Sequence, residues 1–177
     1  MLYYTTVHHP YVREYMAIPE LTVDRMLELA YGQAQNIIMG NKEQIMPVFM
    51  ILSGDDQIIF VGTPWHGDDQ KDMAVVMLRD MMKEHKAVAY SFLTEAWVAP
   101  QPKGWRPGFD PRGPAPSERP DKKEVVLAMA TNGTDTKYKA WDIVRDGEGN
   151  CVGLVQEKEI TKFALGRFEG LLPTSTH

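Results

Sequence analysis

Residues 87–99 read AVAYSFLTEAWVA, a stretch with neither glycine nor proline and with β-branched and aromatic side chains throughout. It is too long and too rich in strand formers to be a connection, and its length predicts one extended strand. In that strand Val88, Tyr90, Phe92, Thr94, Ala96 and Val98 share one face, and Ala89, Ser91, Leu93, Glu95 and Trp97 share the other. Upstream, IMPVFMIL (45–52) and QIIFVG (57–62) flank Ser53-Gly54-Asp55-Asp56, which is a hairpin signal. Both runs are apolar at successive positions, so both are expected inside the sheet, covered on either side. Further upstream, Val23, Met26, Leu27, Ala30, Ala34, Ile37 and Ile38 recur at spacings of three and four and predict a helix over 22–39. Thr22 suits its N-cap, Asp24 its positive end and Gly40-Asn41 its exit. A second helix is expected from Asp68 or a neighbour to His85, with Met73, Ala74, Met77, Leu78 and Met81 turned inward.

Downstream of the long strand, residues 100–120 hold seven prolines and three glycines, a composition that interrupts both helix and sheet ladder. A structureless loop of this length is unusual within a compact domain and points to function or disorder. EVVLAMAT (124–131), KYKAWDIV (137–144) and CVGLVQ (151–156), separated by turns at Asn132-Gly133 and residues 146–150, then read as an antiparallel meander. Ile160, Phe163, Ala164 and Phe168 suggest a short terminal helix. The order α-β-β-α-β-loop-β-β-β-(α) predicts an α+β fold, with two principal helices packed on a mainly antiparallel sheet.

The chain has 177 residues, 44% of them hydrophobic, which is enough for one core. Residues 1–20, with four tyrosines within the first fifteen residues and the His8-His9 pair, are expected to form an N-terminal arm on a single domain spanning 21–177. A net charge of −5 disfavours broad attraction to phosphate backbones or anionic membranes. Cys151 is the sole cysteine, so neither an internal disulfide nor a multi-thiolate metal site is expected. The opening residues show no cationic and apolar leader, which predicts a cytoplasmic protein without a membrane partner. No cofactor motif is present and none is expected.

Leu93-Thr94-Glu95-Ala96-Trp97 and, beyond the proline-rich loop, Pro116-Ser117-Glu118-Arg119-Pro120-Asp121-Lys122-Lys123-Glu124-Val125-Val126 carry a resemblance. Over residues 21–156 the chain resembles a group of small bacterial and phage hypothetical proteins. Their pattern is helix, hairpin, helix, a strand ending in Glu-Ala-Trp, a variable loop, then Ser-x-x-Pro-Asp-basic-basic-Glu entering a meander. The resemblance implies the fold and carries no activity. The N-terminal arm and the Trp105-containing insertion between Pro100 and Ala115 depart from the pattern, and a function particular to this chain is expected there.

Glu95 sits among apolar residues of an interior strand, where a carboxylate needs a partner. The simplest expectation is an ion pair with Lys122 or Lys123, Asp121 capping the turn after Pro120. The chemical alternative groups Glu95, Asp121 and Glu124 as an acid/base set in a small hydrolase-like enzyme. His66, Asp68 and Asp69 offer an alternative site for a hard divalent ion, although acidic residues at a helix start are more simply read as partners of its dipole. The absence of His-x-Glu and of Pro-Cys-x-x-Cys removes deaminase-type zinc chemistry. Cys151 reads as a packed thiol. The loop is locally cationic, with Lys103, Arg106, Arg112 and Arg119 against Asp110 and Glu118, and Trp105 and Phe109 lie among the arginines. Such a segment can grip a protein or a single nucleic-acid strand. The favoured expectation is a non-catalytic binding module, phage-encoded or host-regulatory, whose loop residues Trp105, Arg106, Phe109, Arg112 and Arg119 engage a protein partner or a second copy. Nucleic acid is the less favoured partner.

Overall fold

The computed structural model describes residues 3–6, 22–40, 42–65, 67–99, 116–156, 168 and 170–173. The elements run β1 (Tyr3–Thr6), α1 (Val23–Ile38), β2 (Val48–Leu52), β3 (Ile58–Gly62), α2 (Asp68–Glu84), β4 (Ala89–Val98), a 3-10 turn (Pro116–Glu118), β5 (Lys123–Thr131), β6 (Thr136–Arg145) and β7 (Cys151–Gln156). The described strands form one sheet of seven in the order β1-β3-β2-β4-β5-β6-β7, antiparallel at every pairing. The fold is α+β, and the long strand read from residues 87–99 occupies the middle of the sheet.

β4 divides the molecule as its alternation predicts. Ala89 and Leu93 join Met50, Leu52, Val126, Ala128, Ala130 and Trp141 in a core closed by Met26, Leu27, Ala30, Ala34 and Ile38 of α1. The side chain of Thr22 accepts from the backbone N–H of Arg25, so the expected cap sets the start of this helix. Lys137 of β6 pairs with Asp24 in the first turn, and Tyr31 lies 5.0 Å from the Trp141 ring, so polar and aromatic contacts both lock the helix over β6. Ser91 faces this same core, and its buried hydroxyl has no hydrogen-bond partner among the described residues.

The other face is built from rings. Phe49, Tyr90 and Phe92 project there and meet Trp65 and Phe168, with Trp65 stacked on Phe168 at 4.9 Å and Phe92 at 5.2 Å from Phe168. Tyr90 donates its hydroxyl hydrogen to the carbonyl of Phe168 at 2.8 Å, which fixes the end of the chain onto the sheet. α2 covers the β2–β3 side of this face through Ala74, Val75, Leu78 and Met82. The inward stripe expected from sequence is thereby corrected: Met73 is 72% exposed, and Met77 and Met81 lie only at the margin. Residues 73–78 are all apolar, so periodicity leaves the inward direction open, and the aromatic layer selects the turn carrying the small Ala74 and stiff Val75. The β2–β3 turn fits closely under the end of α2. A Cβ on Gly54 would lie 3.0 Å from the Lys86 carbonyl, and the Gly54 N–H donates to His85 O.

The rims of the sheet differ. Tyr3–Thr6, within the segment expected to be an arm, pair with β3 as a short edge strand. At the opposite rim a bulge at Val144/Arg145 interrupts the β6–β7 register, and Met39 bridges Cys151 from outside, with Gly40 N–H donating to Cys151 O at 2.8 Å. The expected terminal helix lies outside the described residues apart from Phe168, as does the rest of segment 1–20.

Phe168→Ala should remove the ring that Phe49, Trp65 and Phe92 close upon and destabilise the protein by about 3–5 kcal/mol. Ser91→Ala should leave stability within about 1 kcal/mol of the parent or raise it, because it deletes an unsatisfied buried hydroxyl. Urea denaturation of both variants checks the contrast.

Candidate functional site

The α1–β2 connection crosses the sheet where the chain of β4 leaves the apolar core, and there the backbone N–H of Ile45 donates to Glu95 at 3.2 Å. Glu95 lies two residues along from buried Leu93 on the same face, opposite Val126 of β5. Glu124 follows on that face of β5, and Arg145 comes from the end of β6. Arg145 grips Glu124 through two parallel bonds of 2.7 Å, Nε to Oε2 and Nη2 to Oε1, and donates a third to Gly149 O. This bidentate geometry is the strongest form of carboxylate recognition in a partly dry site. Both side chains are mostly shielded, at 14% and 21% exposure.

Glu95 has no cation of its own. Burial and a hydrogen bond to Glu124 raise its pKa to about 7 from 4.5. Glu124 moves the other way, held below the usual carboxylate range first by Arg145 and further by Glu95. Arg145 is raised in turn by Glu124. The three groups therefore form a neutral unit at mildly acidic pH: protonated Glu95 donates to ionised Glu124, which is countered by Arg145. The expected pairing of Glu95 with Lys122 or Lys123 is corrected by this arrangement. Lys122 donates to Ser117 O and lies 4.6 Å over the Trp97 ring, and Lys123 pairs with Asp142 at 3.2 Å. Lys123 lies opposite Val98, and β-strand alternation sends its side chain away from the face of Glu95.

Asp121 is also held elsewhere. It receives two bonds from Arg119, 2.9 and 2.7 Å long, and its pKa is lowered by that partner. Of the three carboxylates grouped from sequence, the structure thus brings Glu95 and Glu124 together and gives Asp121 to Arg119. Arg145 was not singled out from sequence. The signal for it was the meander, whose antiparallel registers carry the end of β6 to the start of β5.

Asp68 pairs with Lys71 at the start of α2, and Asp69 is exposed beside it. His66 lies outside the described residues, and among those described no group of three or more His, Cys, Asp or Glu is placed to hold a metal ion. Trp105, Arg106, Phe109 and Arg112 also lie outside. Cys151 is buried, with its sulfur 3.8 Å from Met39 Sδ. No helix among the described residues is long and apolar enough to cross a membrane. No protein-family model, curated protein or solved structure matches the chain.

The Glu95 proton has a definite thermodynamic sign. The native group keeps it up to about pH 7, whereas the unfolded chain releases it near 4.5. Across that window the native state binds more protons, so the stability contributed by Glu95 is full below 4.5 and is lost as pH rises through 7. Glu124 acts oppositely, contributing above its unfolded value and losing that contribution as pH falls through its lowered native one. Glu95→Gln keeps a donor for Glu124 and removes the titration. It should flatten the decline between pH 5 and 8 by about 1–2 kcal/mol, a figure reduced for partial solvent screening. Denaturant melts at both pH values measure it.

Proposed function

We propose that the chain is a non-catalytic binding module, in which a rigid antiparallel scaffold displays the proline-rich segment 100–120 and the N-terminal segment 1–20 to a protein partner or a second copy. The observation that carries this reading is the outer face of α2. Met73 and Val76 are 72% and 60% exposed there, although the buried side of the same helix already supplies its packing. Large apolar side chains left adjacent on a surface favour a partner that covers them. The loop residues Trp105, Arg106, Phe109, Arg112 and Arg119 supply the aromatic and guanidinium groups that dominate protein interfaces. The ion pairs of the described scaffold support the same division of labour: Glu124–Arg145 ties β5 to β6, and Asp24–Lys137 ties α1 to β6.

One observation favours a second reading, a small hydrolase-like enzyme. Glu95 and Glu124 have pKa values pushed apart, and Glu95 lies near 7, where a carboxyl can both give and take a proton. A hydrolytic activity lost in both Glu95→Gln and Glu124→Gln, with melting temperature retained, would favour that enzyme over the module.

For the binding module, Trp105→Ala/Arg106→Glu should abolish concentration-dependent self-association or partner capture while leaving the melting temperature within about 2 °C of the parent. Sedimentation velocity and thermal melts of the double variant provide the check. A parent chain that neither self-associates nor captures a partner would refute the reading.

A further inference from the structure

The exposed side of α2 carries an open, shallow surface that is both apolar and acidic. Met73, Val76, Met77 and Met81 supply the apolar surface, and Asp72, Asp80 and Glu84 supply the charge. The spacing follows from the helix: 73, 76, 77, 80, 81 and 84 recur at three and four and share one side. Lysine and arginine are absent from the lining among the described residues. Methionines suit a site that must accept flat rings, because the thioether is flexible and attracts aromatic edges. Two α2 helices facing one another would set these carboxylates against their own copies, so helix-to-helix pairing is disfavoured by like charge.

The chain carries a segment of complementary chemistry. Residues 100–115 read QPKGWRPGFDPRGPA from position 101, and Lys103, Arg106 and Arg112 outnumber Asp110 there. Trp105 and Phe109 are spaced among those cations. Prolines at 100, 102, 107, 111 and 114 restrict the unbound segment, which lowers the entropy lost on binding. We propose that the acidic, methionine-rich outer face of α2 receives the proline-rich segment 100–115 of a second copy of this chain, Trp105 and Phe109 against the methionines and Arg106 or Arg112 against Asp80 and Glu84. This rests on the binding-module reading and names its partner and its receptor surface. A contact of this type joins two different surfaces, so it closes as a reciprocal dimer or repeats into rings or open chains of subunits.

The test uses the full-length protein, isotope-labelled, titrated with a synthetic peptide of residues 100–116. Amide shifts should concentrate at Met73, Val76, Asp80 and Glu84. Asp80→Lys/Glu84→Lys, two exposed changes on an intact helix, should weaken peptide binding at least about tenfold, and added salt should weaken it further. A peptide carrying Trp105→Ala should lose most of the response. Shifts elsewhere, or binding insensitive to the charge reversal, would overturn the proposal. If the peptide leaves α2 unshifted while Trp105→Ala/Arg106→Glu still disrupts association of the full chain, the α2 assignment fails and the binding module stands. If the peptide is silent and the full chain neither self-associates nor captures a partner, both fail.

Discussion

Burial on both faces of β2 and β4 governs this molecule. All five residues of β2 are buried, as are the first five of β4, so each face of the sheet centre must be covered by something else. α1 covers one and α2, with Phe168 and Leu171, covers the other. The two faces are not alike. Under α1 lie mostly alanines and aliphatic side chains, with Trp141 at the β6 side, which let a helix approach closely, whereas the opposite face is a layer of rings whose offset stacking fixes neighbours in orientation as well as distance. A helix that crosses such a layer must present its smaller residues, and α2 does so with Ala74 and Val75. Leu78 and Met82 complete the buried side, while Met73 is left outside and Met77 and Met81 lie at the margin, which links core packing directly to surface chemistry.

Where that apolar centre ends, the sheet changes to a polar register. Glu95 is two residues beyond Leu93, with Ile45 as its backbone donor, and the protein accommodates the acid by leaving it protonated at mildly acidic pH. This uses one cation, Arg145, for two carboxyl groups. It also ties β4, β5, β6 and the α1–β2 connection together at one point, since each contributes a partner. A lysine at this place would satisfy one oxygen from a mobile ammonium, while the planar guanidinium holds both oxygens of Glu124 and leaves it oriented toward Glu95.

Much of the architecture was legible from residues alone. Alternation in 87–99 gave the two faces of β4, the Ser53–Asp56 cluster gave the hairpin, and Thr22 gave the start of α1. The rotation of α2 was not legible, because an uninterrupted apolar run satisfies several helical phases equally and only the facing rings discriminate among them. Glu95 was recognisable as a carboxyl in need of a partner. The identity of that partner was hidden, since proximity in sequence favoured Lys122 and Lys123, whereas β-sheet parity sends Lys123 to the far side and registry across three strands delivers Arg145. The strand at Tyr3–Thr6 escaped notice for a related reason: four residues are too few to show a period, and their pairing is set by the free side of β3.

The irregular join between β6 and β7 has an effect on how molecules of this chain meet at high concentration. A flat, fully extended margin is a template on which further polypeptide can be laid down without limit. Here the kink at Val144/Arg145 twists the last ladder, Met39 and Gly40 cover the first residue of β7, and on the far margin the edge strand is only four residues long. A short margin on one side and a twisted, partly covered one on the other give an incoming chain less length to copy, which works against fibrillar deposition.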